Sequence, residues 1–177
     1  MSQKWISVLT DLLLEISPLV QSFDASGYKI YAVGGVVRES LLGVTQVDDI
    51  DLTTDALPNE IKSIMSPLVE SLWNQGERFG TIGGIISGLN IEVTTHRAEK
   101  YTTSSRKPEV EFGTSILDDL SRRDFTINAI AVSLPDLKVV DPFNGINDLQ
   151  NKQLKTPLKA AISFADDPLR MFRAARF

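Results

Sequence analysis

The chain has 177 residues, 42% of them hydrophobic and 23% charged, which is enough for one domain with an ordinary core. It contains no Cys and one His, so a disulfide framework, a thiolate metal site and a multi-His metal centre are excluded. Any bound metal would therefore have oxygen ligands. No apolar run reaches the roughly 20 residues of a membrane span. The amphipathic N-terminal stretch contains Asp11 and Glu15 and is unlike a signal peptide, so a cytoplasmic protein without a membrane partner is expected.

The net charge of −5 is unevenly distributed along the chain. Residues 1–99 hold 13 acidic and 6 basic side chains, whereas residues 100–177 hold 10 acidic and 12 basic ones. An acidic chain argues against autonomous nucleic-acid binding, because such proteins usually show a basic surface. The excess of basic residues in the second part weakens that argument for any site built from both parts.

Hydrophobic periodicity predicts the elements in the first part of the chain. Gly43 is the expected end of one helix, because a left-handed glycine commonly follows a helix C-terminus. Pro58 suits the first turn of another helix. The predicted elements are a helix over 4–20, a strand over 29–33, a helix over 36–42, a strand over 49–53, a helix over 59–65 and a hairpin over 81–95 that turns at 88–90.

The second part is predicted to be richer in helix. Its polar start, residues 98–108, has no apolar period and predicts a mobile loop. Early strands and late helices indicate an α/β or α+β domain with a mixed sheet, followed by an all-helical element. The remaining predicted elements are a helix over 117–131, a hairpin over 132–140 that turns at Pro135 and Asp136, a short helix or turn over 148–153 and a helix over 166–177.

Two carboxylates lie two residues apart in the predicted strand over 49–53. Alternation along a strand places Asp49 and Asp51 on one face, with Ile50 and Leu52 toward the core. The pair is either a solvated strand end or a divalent-cation site. Oxygen ligands of this kind suit Mg²⁺, which keeps other positions for water and substrate phosphates. Two such metal ions can stabilise the attacking and leaving oxygens of a phosphoryl transfer.

A third carboxylate could join this pair. Glu92 alternates with Ile91 and Val93 in the predicted hairpin, so its side chain could point the same way as Asp49 and Asp51. An exposed strand glutamate without a function is an equally good interpretation. We therefore treat Glu92 as a candidate catalytic residue.

A glycine pair connects the first predicted strand to the following helix. Gly34 and Gly35 allow a ligand to approach the backbone closely, and the N-terminal N–H groups of the helix attract anions. Arg38 would face the same anion. The pattern is neither a dinucleotide-binding fingerprint nor a P-loop. A tight structural turn is the alternative, but a phosphate turn ahead of a carboxylate pair is typical of a nucleotide and metal site.

Several blocks together resemble one known family. Each block is short, but their order covers residues 28–177 and is specific. The chain is similar to the bacterial tRNA nucleotidyltransferase and poly(A) polymerase family, the class II CCA-adding enzymes of the polymerase-β superfamily. The blocks are YAVGGVVRESLLG, DDIDLTT, ERFGT, IEVTTHR, SRRDFTINAIA, DPFNGINDL and DDPLRMFRAARF.

The resemblance implies roles for the polar residues of these blocks. Asp49 and Asp51 would hold catalytic Mg²⁺, and Asp167 with Arg170 would hydrogen-bond the base edge of the incoming nucleotide. Without the resemblance, Asp167 before Pro168 is an ordinary helix cap. The further nucleotide-binding residues that the resemblance implies are Gly34, Gly35, Arg38, Arg122, Arg123, Asp124, Asn128, Arg173 and Arg176.

Arginine suits these phosphate contacts, because its guanidinium presents a rigid fork of donors. Arg122 and Arg123 could instead form surface ion pairs with Asp118 or Asp119. The only histidine, His96, is assigned no catalytic role.

The resemblance also implies a fold and an activity. The expected fold is a polymerase-β-like head over 26–150, preceded by an N-terminal helix over 1–25 and followed by the start of a helical neck over 151–177. The expected reaction adds CMP and AMP from CTP and ATP to the tRNA 3′ end, with Mg²⁺ and release of pyrophosphate. Alternatives are a poly(A) polymerase, a CC- or A-adding relative, or a non-catalytic nucleotide-binding fragment. The family continues much further as neck, body and tail, so the chain is expected to be the front part of a longer protein.

Overall fold

The structure is a computed structural model that describes residues 4–98 and 111–177. Its first part contains α1 (Lys4–Leu14), α2 (Ser17–Ala25), β1 (Ile30–Val33), α3 (Gly35–Leu42), β2 (Asp49–Thr54), α4 (Pro58–Met65), β3 (Ser71–Trp73), a 3₁₀ turn (Glu77–Phe79), β4 (Thr81–Ile86), β5 (Leu89–Thr95) and β6 (Arg97–Ala98). Its second part contains β7 (Glu111–Phe112), α5 (Ile116–Ser121), a 3₁₀ turn (Thr126–Asn128), β8 (Ala131–Leu134), β9 (Val139–Val140), α6 (Gly145–Gln150), α7 (Ala160–Asp166) and α8 (Leu169–Arg176).

Seven of these strands form one mixed sheet in the order β3-β4-β5-β2-β1-β8-β9. β2 and β5 run parallel, and the other neighbouring pairs are antiparallel. β6 and β7 form a separate two-stranded ribbon. The predicted mixed α/β fold is confirmed.

Helices α1 to α4 cover one face of this sheet. Apolar residues of these helices, such as Leu9, Phe23 and Ile61, join strand residues such as Ile50 and Ile91 in one buried cluster. Alternation along β2 then sends Asp49 and Asp51 to the opposite face. A second, smaller buried cluster lies around Val33 and Leu120. The paired carboxylates of the predicted site therefore lie on the sheet face opposite α1 to α4.

The N-terminal helix differs from the prediction. The periodic segment 4–20 forms two helices, α1 and α2, whose axes bend by 83°. Pro18 lies in the first turn of α2, where its missing N–H leaves no hydrogen bond unmade, so the break falls before it. Within the described residues, no single helix has the length and apolar character to cross a membrane. The bent pair of α1 and α2 reaches that length and apolar character only when the two helices are counted together.

The helix predicted over 117–131 is also shorter than expected. It ends at Ser121, and a 3₁₀ turn and β8 follow. The Asp124 carboxylate accepts the Phe125 N–H at 2.8 Å, and the Thr126 N–H donates to the distant Lys155 carbonyl at 2.8 Å. These hydrogen bonds replace the helical ones, so tertiary contacts overrode the local helical pattern.

The C-terminal helix predicted over 166–177 begins later, at Leu169, and the helix α7 before it was not predicted. α7 ends at Asp166 and α8 begins at Leu169, because a residue before proline avoids the helical region. The Asp167 carboxylate accepts the Leu169 N–H at 3.0 Å, which is the predicted capping contact.

Most of the shorter elements lie within a few residues of where the sequence predicts them. The hairpin of β4 and β5 is confirmed, but its turn lies at Ser87 and Gly88, both with positive φ, and not over 88–90, because residues 89 and 90 pair within β5. Gly43 follows α3 in the left-handed region as expected. The β8–β9 hairpin is confirmed, and the short helix expected over 148–153 runs instead from Gly145 to Gln150. From residue 99 onward, the loop predicted over 98–108 lies outside the described residues. The division into N-terminal helix, head and neck start stays a prediction.

Candidate functional site

Asp49 and Asp51 project from β2 on the face opposite the core. The residues between and after them, Ile50 and Leu52, are 0% and 1% exposed, which confirms the predicted alternation. Asn90 at the start of β5 donates its side-chain N–H to Asp49 Oδ1 at 2.9 Å. Buried neighbours therefore fix the backbone at both carboxylates, and a hydrogen bond from β5 holds the side chain of Asp49.

The two carboxylates repel each other electrostatically. Burial raises the pKa of Asp51, the positive charge of Arg123 opposes this rise, and the charge of Asp49 adds to it. A divalent cation between the carboxylates would offset both the burial and the repulsion. The donor set of two hard oxygens fits Mg²⁺, which takes one or two carboxylates and keeps water and phosphate ligands.

Glu92 lies beside this pair, as predicted. It is the cross-strand partner of Asp51 in the parallel β2–β5 pairing, so both side chains share one face. Burial raises the pKa of Glu92, and the charges of Asp51 and Asp49 raise it further. In residues 4–98 and 111–177, no three His, Cys, Asp or Glu side chains form a group that could hold a metal ion. The place of Glu92 agrees with the prediction, and its catalytic role stays a prediction.

The Gly34–Gly35 turn lies directly against the acidic pair. Gly34 has φ +68°, and a Cβ there would lie 3.3 Å from both Arg123 Nη1 and Asp51 Oδ2. Gly35 is the first residue of α3, whose N-terminal N–H groups face the turn. The turn thus combines close backbone approach, a helix N-terminus, a carboxylate and a guanidinium.

Arg38 is oriented by a chain of side-chain hydrogen bonds. Its guanidinium donates to Asn128 Oδ1 and, at 2.9 Å, to Glu39 Oε1. Asn128 in turn donates to Asp124 Oδ1 at 3.0 Å. The Arg38 guanidinium also lies 5.0 Å from the centroid of the Phe177 ring. The predicted residues Arg38, Asn128 and Asp124 therefore form one connected group.

Arg123 forms the ion pair that the sequence offered as the alternative, and its guanidinium also lies at the glycine turn. Its Nη2 pairs with Asp119 Oδ2 at 3.1 Å, which is the structural alternative. Its Nη1 lies 3.3 Å from the Cβ position of Gly34, and the phosphate contact of Arg123 stays a prediction. The neighbouring Arg122 contributes its backbone carbonyl to a contact with α8.

Helix α8 brings its arginines to this group. Arg173 Nη2 pairs with Asp124 Oδ2 at 2.7 Å, and its charge is felt at Asp51. The Arg170 guanidinium donates to the carbonyl oxygens of Arg122 at 2.6 Å and Arg123 at 3.4 Å, and to the Ser163 hydroxyl.

Asp167 and Arg176 have fewer contacts with this group. Asp167 lies 3.9 Å from Arg170 Nε, and its side chain is 46% exposed. Arg176 lies exposed at the end of α8.

Three residues of the site were not expected from the sequence. Asn90 fixes Asp49, Ser163 accepts from Arg170, and the exposed end residue Phe177 stacks against Arg38. Asp119 was considered only as an alternative partner of Arg123. No local signal indicates Asn90, because its contact depends on the parallel pairing of β2 with β5.

Comparison with known proteins assigns a family to this fold. The protein-family model described as "Poly A polymerase head domain" matches residues 30–155 of this chain. The CCA-adding enzyme of Leuconostoc citreum is 37% identical over 173 residues, which cover 97% of this chain and 41% of the relative. The CCA-adding enzyme of Staphylococcus aureus is 40% identical over 167 residues, which cover 94% of this chain and 40% of the relative. The chain thus spans about two fifths of the length of these relatives.

Solved structures agree with this assignment. The Bacillus stearothermophilus CCA-adding enzyme in complex with CTP aligns with a TM-score of 0.80 and 34% identity, covering 93% of this chain and 38% of that one. The Thermotoga maritima CCA-adding enzyme complexed with tRNA aligns with a TM-score of 0.75 and 29% identity, covering 98% of this chain and 40% of that one. The family is generally metal-dependent. This chain therefore belongs to the poly(A) polymerase head-domain family, and CCA-adding enzymes are among its relatives.

Proposed function

We propose that this protein is a Mg²⁺-dependent tRNA nucleotidyltransferase that adds CMP and AMP from CTP and ATP to the tRNA 3′ end and releases pyrophosphate. The observation that carries the proposal is that Asp51, one of the two paired carboxylates, and Arg123 both lie 3.3 Å from the Cβ position of Gly34 in the glycine turn. This arrangement would combine a cation site and a phosphate site within one group of side chains. Relatives named CCA-adding enzymes, with solved complexes containing CTP, ATP and tRNA, support the same activity. We place the activity in the cytoplasm, with no membrane partner.

The acidic pair and the turn would divide the work on the triphosphate. Asp49 and Asp51 would hold Mg²⁺, which when bound neutralises phosphate charge and activates the attacking 3′-hydroxyl. Glu92 is placed to act beside them as a third carboxylate. The N–H groups of Gly34, Gly35 and the start of α3 would bind phosphate oxygens.

Arginines would complete the nucleotide site. Arg123 and Arg38 supply guanidinium donors, and Asn128 with Asp124 orient Arg38 by hydrogen bonds. We assign Asp167 and Arg170 to the base edge, because Asp provides acceptors and Arg provides donors. The further residues assigned to the nucleotide are Arg122, Arg173 and Arg176. These fixed charges would favour the transition state by positioning and electrostatics.

The proposal is tested with the whole protein as encoded by its own reading frame. The protein is incubated with Mg²⁺, labelled CTP or ATP, and tRNAs that end before C, after the first C and after CC. The expected result is stepwise addition of C, C and A. Asp49→Asn and Asp51→Asn should lower the rate by at least about 10²- to 10³-fold, as for the loss of one transition-state contact.

Asp136→Asn is the matched control. Asp136 is 60% exposed and pairs with Lys138 at 3.0 Å in the β8–β9 hairpin, so its loss should leave transfer unchanged. Addition of A alone without C, or of long A tails, would indicate an A-adding relative or a poly(A) polymerase. Nucleotide binding without transfer to any tRNA would refute the proposed activity.

A further inference from the structure

Four cross-strand partners extend from the acidic pair across half of the sheet. Asp51 on β2 is paired with Glu92 on β5, Glu92 with Gly83 on β4, and Gly83 with Trp73 on β3. Directly paired residues share one face of a sheet, so all four lie on the face that carries the proposed site. The row leads from the acidic pair to an aromatic ring at the sheet edge.

A cavity of about 320 Å³ lies along this row. Its walls include the rings of Trp73 and Phe79, together with Gln75, Arg97 and Glu92. Its volume is at the lower end of the roughly 300–1,000 Å³ that is usual for small-molecule sites. Because Glu92 lines the cavity and pairs with Asp51, the cavity opens beside the acidic pair.

Glycine at position 83 makes room for the aromatic wall. A Cβ there would lie 2.1 Å from Trp73 Nε1 and 2.2 Å from Trp73 Cε2, so the indole occupies the space above the Gly83 backbone. Phe79 is 45% exposed, and the Arg78 guanidinium lies over its ring, 4.5 Å from the centroid. A guanidinium over one face of a phenyl ring leaves the other face for stacking.

The cavity carries the chemistry that a nucleotide needs. Aromatic rings stack on a nucleobase whatever its identity, and the Gln75 amide can donate to or accept from a base edge. Arg97 Nη2 donates to the Thr81 hydroxyl at 3.4 Å. Among the described residues, the buried Nε atom of Arg97 has no hydrogen-bond partner. Because this atom is buried, it is the guanidinium charge of Arg97 at the cavity wall that can attract a phosphate oxygen.

The cavity and the glycine turn lie on opposite sides of the acidic pair. The Gly34–Gly35 turn follows β1, on one side of β2, whereas the cavity is formed by β5, β4 and β3 on the other side. Attack on a phosphorus atom requires the attacking and leaving oxygens to be roughly in line. If the triphosphate occupies the turn, the attacking hydroxyl must arrive from the side of the cavity.

We propose that the cavity between Trp73, Phe79 and Glu92 binds the 3′-terminal nucleotide of the RNA acceptor, with its base stacked on the aromatic rings. This inference rests on the proposed function and adds the acceptor subsite to it. Stacking there directs the 3′-hydroxyl toward Asp51 and Glu92. Phe79 is accordingly a positioning residue for the acceptor and has no contact with the triphosphate.

The first test compares Phe79→Leu with the unaltered whole protein in CTP and ATP addition to tRNA. Loss of one stacked base predicts a KM for tRNA about tenfold higher, with the KM for CTP and ATP unchanged. Phe79→Tyr, which keeps a ring, should restore most of the tRNA affinity. Leu42→Ala, at a residue 61% exposed at the end of α3, serves as the control for loss of surface apolar area.

An acceptor that lacks its 3′-terminal base isolates the stacking contact. The unaltered protein should bind this acceptor about as weakly as Phe79→Leu binds the normal acceptor. Phe79→Leu should bind the acceptor without the base no more weakly than the unaltered protein does. An unchanged KM for tRNA in Phe79→Leu would overturn the inference. An equal rise in the KM for CTP would also overturn it, because it would place Phe79 in the triphosphate site.

A binding measurement separates this inference from the proposed function. The chain has two Trp residues, so Trp5→Phe leaves Trp73 as its single indole, in residues 1–177, for fluorescence. Trp5→Phe is introduced into the chain of 177 residues and into the whole protein. In the whole protein, every Trp outside residues 1–177 is also replaced. RNA with an intact 3′-terminal base should quench Trp73, and RNA lacking that base should not. If the protein transfers no nucleotide yet shows this difference, the proposed activity fails while the subsite stands. Equal or absent quenching by the two RNAs would overturn the subsite.

Discussion

The guanidinium of Arg123 approaches Gly34 so closely that a side chain at position 34 would meet it. Arg123 Nη1 lies 3.3 Å from the position that a Cβ at Gly34 would take. The same position lies 3.3 Å from Asp51 Oδ2, so one glycine separates the cationic and anionic groups of the site. Arg123 also pairs with Asp119, which leaves its guanidinium little freedom to move aside.

This contact predicts that Gly34→Ala impairs transfer more than it impairs folding. The added methyl group would displace Arg123 or Asp51, and a misplacement of about 1 Å at a catalytic group can cost roughly 10²-fold in rate. Gly27→Ala is the matched control, because Gly27 also has positive φ (+81°) but nothing within 4 Å of its Cβ position. Gly34, at φ 68° and ψ −128°, has a backbone conformation that is nearly restricted to glycine, so Gly34→Ala should also lose about 1–3 kcal/mol of unfolding free energy, and transfer is therefore compared at a temperature where both variants are folded. Equal transfer rates in the two variants would contradict the role of Gly34.

A second prediction separates two roles of the Asp167 and Arg170 pair. Asp167 contacts its own helix, whereas Arg170 also holds the backbone carbonyls of Arg122 and Arg123. Asp167→Ala should therefore reduce discrimination of CTP and ATP against GTP and UTP without a general loss of affinity. Arg170→Ala should reduce discrimination and also weaken all four triphosphates by about tenfold, as for loss of a hydrogen bond to a charged group. Isothermal titration with the four triphosphates measures both effects, and unchanged discrimination in Asp167→Ala would refute the assignment to the base edge.

A third prediction concerns a buried carboxylate behind the site. Asp148 is 1% exposed, pairs with Lys155 at 2.5 Å and accepts from the Thr126 hydroxyl at 2.8 Å. Burial by itself would raise the pKa of Asp148, but the hydrogen bonds from Lys155 and Thr126 outweigh it and hold this pKa below its usual value. The stabilisation is therefore present above the unfolded pKa of about 3.9 and is lost as the pH falls through the lower folded pKa.

Asp148→Asn tests this link between α6 and the 3₁₀ turn over Thr126–Asn128. We expect a loss of about 1.5–3 kcal/mol in unfolding free energy at pH 7, the range for hydrogen bonds to charged groups. The difference from the unaltered protein should shrink as the pH approaches 3. Urea denaturation at several pH values measures it, with the exposed pair of Asp136 as control, since surface pairs contribute at most about 1 kcal/mol. A difference that does not depend on pH would contradict the linkage.

A fourth prediction concerns His96, which is 0% exposed. Its Nδ1 lies 2.9 Å from the Thr53 hydroxyl oxygen, and its ring lies 5.7 Å from that of Tyr31. Burial lowers the pKa of His96, and the nearby Asp119 and Asp55 oppose this only in part. The unfolded chain therefore binds a proton at a higher pH than the folded one, so stability falls as the pH drops below about 6.5.

His96→Asn should flatten this part of the stability profile. The variant keeps a polar group for Thr53, although it is expected to be less stable at pH 7 because it leaves a cavity. Unfolding free energies between pH 5 and 7 should fall more steeply in the unaltered protein than in the variant. The same slope in both proteins would show that His96 does not titrate in this range.

Much of the site could be predicted because local patterns specify it. Alternation in β2 puts Asp49 and Asp51 opposite buried Ile50 and Leu52, and a glycine pair before a helix predicts the turn. These features depend on residues that are neighbours in the chain. The hairpin of β4 and β5 was predictable for the same reason, since its turn residues and its strands are contiguous.

Other features could not be predicted because they depend on distant partners. The segment that leaves α5 has a helical pattern, yet the Thr126 N–H donates to the distant Lys155 carbonyl and not to a carbonyl of its own helix. The short strand β3 carries little local signal, and it is a strand because β4 pairs with it. Hydrogen bonds between segments far apart in sequence decided both outcomes.

The sequence alone established an acidic first part, a more basic second part and the carboxylate pair, because composition and strand alternation are properties of adjacent residues. The tertiary structure decided what these charges face. Parallel pairing of β2 with β5 puts Glu92 beside Asp51, and folding brings Arg123, Arg38 and Arg173 around the pair. The net charge of −5 thus says little about the site, because burial and short distances make local charges outweigh the average.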